Sequence, residues 1–91
     1  MNADPSSISL DAIEQVEFFK RDEITTDLVC CEIVVRKLGG NETWFFHEEA
    51  SSWEDALRLV ERLPGFDANW PAKVMQPPFA ENRIVAFRRS P

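Results

Sequence analysis

Residues 28–49, LVCCEIVVRKLGGNETWFFHEE, have the pattern of two antiparallel β-strands joined by a tight turn. In LVCCEIVVRKL, residues 28–38, one set of alternate positions is uniformly apolar: Val29, Cys31, Ile33 and Val35. The positions between them are mixed: Leu28, Cys30, Glu32, Val34 and Arg36. Because successive side chains of a strand point to opposite faces, one face should enter a core and the other should be half-exposed. Residues 39–41, GGN, tolerate positive φ and predict a hairpin turn into a further strand, ETWFFHEE.

Two shorter segments, one before and one after this hairpin, also alternate. Residues 13–19, IEQVEFF, place Val16 and Phe18 on one face and are followed by a charged turn at 20–27. In residues 82–89, NRIVAFRR, one set of alternate positions holds Val85 and Phe87. The other set holds Ile84, Ala86 and Arg88. These segments predict a first and a last strand.

Residues 51–65, SSWEDALRLVERLPG, have the periodicity of a helix. A serine followed three positions later by an acidic residue marks its start, at Ser51 or at Ser52. Apolar residues follow at helical spacing: Trp53, Ala56, Leu57, Val60 and Leu63. Because Pro64 and the next glycine end this pattern, the main helix is predicted over 52–63.

Together these elements predict an α+β fold. The order is strand, strand, strand, helix, short helix, strand, and three consecutive strands with short links favour an antiparallel meander. We therefore expect a curved antiparallel sheet of about four strands packed on one main helix at 52–63. A chain of 91 residues supports one core, so residues 11–91 are expected to form a single α+β domain after a loose N-terminal tail at 1–10.

The charge distribution excludes some partners. The net charge is -6, and residues 1–50 hold 11 of the 16 acidic residues but only 4 of the 10 basic ones. An acidic half of this kind repels phosphate, so we expect no nucleic-acid partner and no membrane partner. The sequence shows neither a signal-peptide pattern nor a long apolar segment, and we expect a cytoplasmic protein.

Few residues could support catalysis or hold a cofactor. Cys30 and Cys31 are adjacent, and neighbours on a strand point apart, so they should not form a disulfide that staples the fold, which fits a reducing compartment. The one histidine, His47, can converge at best with Glu49, and two ligands do not make a metal site. Phosphate-binding glycine motifs and metal-binding motifs are missing from the sequence. We therefore predict no cofactor, no metal and no catalytic residues.

The proline-rich segment at 64–79, PGFDANWPAKVMQPPF, admits two interpretations. It could be a groove wall, because prolines order a segment at little entropic cost and aromatic residues are favoured anchors in protein contacts. It could instead be a lid in which Phe66, Trp70, Val74 and Phe79 close the part of the sheet that one helix leaves open. A small domain needs most of its large aromatics inside, which favours the lid. Asp67 is placed to cap a short helix within the segment.

The resulting functional hypothesis is a non-catalytic protein-binding or regulatory module. It would contact a protein partner or a second copy through the half-apolar second face of the sheet or through a free strand edge. The candidate contacts are Phe19, Leu28, Cys30, Val34, and Trp44 or Phe45. The alternative is a small-molecule binder or enzyme with a pocket between the sheet and the segment 64–79. Its candidate residues are His47, Glu49, Phe66, Asn69, Trp70, Phe79 and Arg83.

The C-terminal half carries a family resemblance. The run HEEASSWEDALRLVERLPGF, followed by a tryptophan, a valine, PPF, an asparagine and the arginines through Arg88, resembles small bacterial proteins of unknown function. Those proteins end in a similar helix, LPG turn, tryptophan, PxF and last strand. The chain also resembles bacterial domains related to the pleckstrin-homology fold, although it is short for their full barrel and capping helix. The resemblance implies a fold and no activity or binding residue.

Overall fold

The computed structural model describes residues 4–22, 27–75 and 83–89. Within these ranges the chain forms four strands, two α-helices and two short 3-10 turns. The strands are β1 (Ile13–Asp22), β2 (Asp27–Lys37), β3 (Gly40–His47) and β4 (Arg83–Arg88), and the helices are α1 (Trp53–Glu61) and α2 (Trp70–Met75). The strands form one open antiparallel sheet in the order β3-β2-β1-β4. The predicted α+β class, element order and four-stranded antiparallel sheet are confirmed.

The β2–β3 hairpin turns slightly earlier than its sequence predicts. Lys37 pairs with Gly40, so the turn consists of Leu38 and Gly39, and the second glycine already belongs to β3. Gly39 has a φ of 88°, a left-handed conformation that an L side chain rarely adopts. At the other hairpin, β1 and β2 extend into the predicted turn at 20–27, whose middle residues, 23–26, lie outside the described part of the chain.

One face of the sheet packs on the helices and forms the core. Phe18 stacks on Trp70 of α2, with ring centroids 3.7 Å apart and planes 6° apart. Phe66, just before α2, meets Phe18 edge-on at 6.2 Å. The buried core residues of the sheet and helices are Ile13, Val16, Phe18, Val29, Cys31, Ile33, Val35, Phe46, Ala56, Val60, Trp70, Val74, Ala86 and Phe87. Burial of this apolar surface is the main stabilising contribution to the fold.

A β-bulge in β4 changes the predicted alternation of that strand. Val16 pairs with Phe87, but the next residue, Glu17, pairs with Val85, so one extra residue is inserted in β4. Phe87 is therefore buried in the core, whereas Val85 is exposed on the opposite face. The prediction that these two residues share a face was wrong because the bulge reverses the alternation between them.

Residues 4–9, assigned by the sequence to a loose tail, are held against the domain. Pro5 and Ile8 are buried, and the 3-10 turn Pro5–Ser7 packs on α1. Arg89 donates from Nε to the C=O of Ile13 and from Nη2 to the C=O of Leu10. The tail assignment is corrected for these residues because Ile8 supplies apolar surface to the core.

Helix α1 begins one residue later and ends two residues earlier than predicted. Ser52 occupies the N-cap position but makes no side-chain hydrogen bond there, and Gly65, with a φ of 75°, follows in the connecting turn. Before α2, Asp67 accepts a hydrogen bond from the N–H of Asn69 and forms an ion pair with Lys73. In the three described ranges, no helix combines the length and the apolar character needed to cross a membrane.

Candidate functional site

The face of the sheet that points away from the helices is the candidate site. We call it the open face and define it by three cross-strand rows that the strand register aligns. The rows are His47, Cys30, Phe19 and Arg83; then Phe45, Glu32, Glu17 and Val85; then Thr43, Val34, Gln15 and Arg88. Each row crosses the sheet from β3 to β4, so residues distant in sequence become neighbours.

Two phenylalanines form the apolar centre of the open face. The ring centroids of Phe19 and Phe45 are 6.2 Å apart, and Phe45 is 46% exposed. The Arg83 guanidinium lies over the Phe19 ring, 4.3 Å from its centroid, in a cation–π contact. Val85 lies in the same row as Phe45 and is 40% exposed. The open face therefore presents apolar surface to solvent at both edges of the sheet.

A polar network runs beside this apolar surface. Glu17 and Glu32 are direct cross-strand partners, an arrangement that destabilises a sheet when both are charged. Arg83 offsets the repulsion, because its Nη1 lies 2.5 Å from Glu17 Oε2 and 3.3 Å from Glu32 Oε2. The bond to Glu17 raises the pKa of Arg83 above its ordinary value. Gln15 extends the network by donating to Glu17 Oε1 and accepting from Arg88 Nε.

The open face is electrically balanced although the chain is acidic. Its rows contain two carboxylates, Glu17 and Glu32, and two guanidiniums, Arg83 and Arg88, which sum to zero, whereas the whole chain has a net charge of -6. Arg88 bonds to the Gln15 amide and forms no ion pair within the described part of the chain. The arrangement suits a nearly neutral, partly apolar contact with one cation available for a carboxylate.

The predicted contact residues divide into three groups. Phe19, Val34 and Phe45 lie on the open face and are exposed or half-exposed, as predicted. Leu28 and Cys30 point to the same side but are buried, and the nearest cross-strand neighbours of Cys30 are Phe19 and His47. Trp44 lies on the helix side, where it packs against the core and under the Lys37 ammonium.

The predicted pocket residues are not brought together. Phe66 and Trp70 lie on the core side, and Trp70 is only 8% exposed. His47 and Arg83 lie on the open face at opposite edges of the sheet. Glu49 and Asn69 are exposed, and Phe79 lies outside the described residues. The burial of Trp70 and Val74 confirms the lid interpretation for this part of the segment.

The predicted contact residues did not include four residues of the open face: Glu17, Glu32, Val85 and Arg88. The pairing of Glu17 with Glu32 depends on the β1–β2 register, which alternation alone does not provide. Val85 was predicted to share a face with Phe87 because the bulge between them has no clear sequence signal.

The remaining features of chemical interest are the Cys31 thiol, the possible metal ligands and one cavity. Burial raises the pKa of the Cys31 thiol, so it is a poor nucleophile. Among the described residues, no three His, Cys, Asp or Glu side chains converge on a possible metal position. A cavity of about 250 Å³ beside the end of β1 is lined by Phe19, Lys20, Arg21 and Arg83. The Lys20 ammonium in this lining donates to the Met75 carbonyl of α2.

Comparison with protein-family models, with curated proteins and with solved structures finds no match to the chain. The resemblance to small bacterial proteins and to pleckstrin-homology-related domains stays a prediction.

Proposed function

We propose that the protein is a non-catalytic protein-binding module, and that the open face docks a folded partner protein. The proposal rests on one observation: Phe45 and Val85 are exposed in the same row as a neutralised Glu17–Glu32 pair. Protein interfaces combine an apolar centre with few uncompensated charges, and large aromatic residues dominate their binding energy. An apolar strip with internally paired charges meets that description.

The partner should present an apolar patch flanked by a carboxylate. Arg88 is bonded only to a neutral amide among the described residues, so a partner carboxylate could pair with it at the edge of the interface. A nucleic acid is a poor fit, because the open face has no net positive charge to neutralise phosphates. We also propose a cytoplasmic location, which the buried Cys31 thiol, outside any disulfide, supports.

The experiment is affinity purification with wild-type protein and a Phe45→Glu, Val85→Glu double variant. A charge at each position should prevent docking, because burying an unpaired carboxylate is costly. The matched control is Leu38→Glu, since Leu38 is a fully exposed apolar residue at the hairpin tip and not on the open face. Circular dichroism checks that all variants fold.

A captured protein supports the proposal only if, in a binding titration of the two purified proteins, the double variant also binds more weakly than wild type. We expect the double variant to weaken binding at least roughly tenfold, and Arg88→Ala to reduce both affinity and its salt dependence. Arg62→Ala, at the end of α1, should change neither. Equal binding by wild type and the double variant, or no protein whose capture depends on these positions, would overturn the proposal.

A further inference from the structure

The two edge strands of the sheet differ in how well they are protected against pairing. β4 is six residues long and bulged, and its Ala86 carbonyl accepts a bond from the Asp67 N–H at 2.8 Å. β3 has eight residues in continuous register with β2 and carries one charged side chain, Glu42. Bulges, short strands and charges are the usual protections of a sheet edge. β4 has them, whereas β3 is a long, regular edge.

The hydrogen-bond pattern shows which backbone groups of β3 point outward. Lys37 and Gly40 close the two-residue turn, and the N–H of Glu48 donates to the C=O of Val29 at 3.0 Å. Antiparallel pairs alternate between bonded and non-bonded, so the even-numbered residues of β3 bond to β2. The outward residues are Asn41, Thr43, Phe45 and His47. In the described part of the chain, one backbone bond reaches them, from the Ala50 N–H to the His47 carbonyl.

We propose that β3 pairs antiparallel with β3 of a second copy, with Trp44 on the two-fold axis. Residues opposite each other in an antiparallel pair share a face, so a symmetric β3 pair must be centred on a residue. Centring on Trp44 pairs Asn41 with His47 and Thr43 with Phe45, so every outward residue has a partner. Centring on Thr43 leaves His47 unmatched, and centring on Phe45 leaves Asn41 unmatched.

The side chains of β3 also complement one another in this register. Glu42 lies opposite Phe46 and not opposite its own copy, so no like charges meet. Trp44 faces Trp44 at a non-hydrogen-bonded pair, where side chains come closest and aromatic pairs are favourable. This self-complementarity selects a second copy over an unrelated peptide as the occupant of the edge.

The dimer goes beyond the proposed binding function and does not depend on it. It would join two four-stranded sheets into one continuous sheet with both open faces on the same side. A partner with two contact regions could then engage both copies, which strengthens binding without new contacts.

The first test compares Thr43→Pro with Thr43→Ala by sedimentation velocity from low micromolar to millimolar concentration. Proline removes an N–H that points away from β2, so it blocks the edge without breaking the intramolecular ladder. We expect wild type and Thr43→Ala to dimerise, and Thr43→Pro to dimerise at least roughly tenfold more weakly. A monomeric wild type at the highest concentration, or an equally stable Thr43→Pro dimer, overturns the proposal.

The second test locates the axis and does not depend on the proline variant being folded. Under mild oxidation, Trp44→Cys should form a disulfide-linked dimer, because the two residues would be direct cross-strand partners. Thr43→Cys and Phe45→Cys provide the alternative centres, and wild type controls for Cys30 and Cys31. Preferential cross-linking at position 43 or 45, or none at the three positions, contradicts the proposed register.

Discussion

Phe18 and Phe19 are adjacent, identical in chemistry and opposite in role. Phe18 points to the helices, is fully buried and stacks on Trp70 at 3.7 Å. Phe19 points to the open face, where the Arg83 guanidinium covers its ring at 4.3 Å. The difference arises from the alternation of the strand and from the position of the helices on one side only. The same residue type therefore serves stability on one face and remains available for contact on the other.

The comparison also shows how the sheet tolerates apolar residues on both faces. On the core side, aromatic side chains pack against other aromatics of the helices. On the open face, Phe19 and Phe45 are flanked by charged side chains that are bonded to one another. Ion pairs of this kind keep a half-apolar surface hydrated without adding net charge. The open face can thus expose apolar side chains while its charges sum to zero.

The largest expected effect comes from truncating the buried ring. Phe18→Ala removes the centre of the aromatic cluster and should lower the free energy of unfolding by about 3–5 kcal/mol, measured by urea titration. Phe19→Ala, the matched neighbour, should cost about 1 kcal/mol or less because its ring is half-exposed. Similar losses in the two variants would contradict the assignment of one ring to the core and the other to a surface.

The second prediction concerns Cys31 of β2, which lies on the same core face as Phe18. Burial raises the pKa of its thiol, so the folded state keeps the proton at a pH at which the unfolded chain loses it. The contribution of this thiol to the free energy of unfolding is then fully present below pH 9.0, the ordinary pKa of a cysteine. That contribution declines as the pH rises above 9.0. The expected slope reaches about 1.4 kcal/mol per pH unit from this group.

The measurement is the free energy of unfolding of wild type and Cys31→Ala from pH 7 to the alkaline range. Cys31→Ala should show the shallower decline above pH 9.0, because the titrating thiol is gone. Val29→Ala, a truncation on the same face without a titrating group, should keep the wild-type slope. Parallel curves for wild type and Cys31→Ala would show that this thiol does not carry the pH dependence.

Local patterns explain which parts of the fold could be predicted. The β2–β3 hairpin follows from strict alternation and a glycine turn, and α1 follows from helical spacing bounded by Ser52 and Gly65. Each of these signals lies within about a dozen residues, where alternation and helical periodicity determine which face is apolar. The burial of Trp70 also followed, because a chain this short needs its large aromatics inside.

The features of the fold that could not be predicted from the sequence depend on contacts between distant segments. The bulge opposite Val16 decides that Phe87 is buried and Val85 exposed, yet the β4 sequence alternates without interruption. Cys30 is buried although it lies on the open face, and its cross-strand neighbours, Phe19 and His47, are defined only by the register. Ile8 packs into the core although the residues around it are polar. None of these outcomes has a signal confined to one segment.

The smallest expected effect concerns Arg83, which contacts both the Glu17–Glu32 pair and the Phe19 ring. Arg83→Gln removes the cation that neutralises Glu17 and Glu32, and exposed ion pairs of this kind are worth about 0.2–1 kcal/mol. We expect a loss of that size in the free energy of unfolding at neutral pH, measured by urea titration. Arg88→Gln, which breaks no ion pair among the described residues, should leave stability unchanged.

Combining Arg83→Gln with Glu32→Gln separates neutralisation from packing in this prediction. If repulsion between Glu17 and Glu32 is the cause, removing one carboxylate should restore most of the stability lost at neutral pH, as a double-mutant cycle would show. A loss that persists in the double variant would instead assign it to the cation–π contact with Phe19. In that case Arg83 would stabilise the fold mainly by packing on the Phe19 ring and less by neutralising the carboxylates. Phe19 would then contribute to stability through its contacts, as Phe18 does.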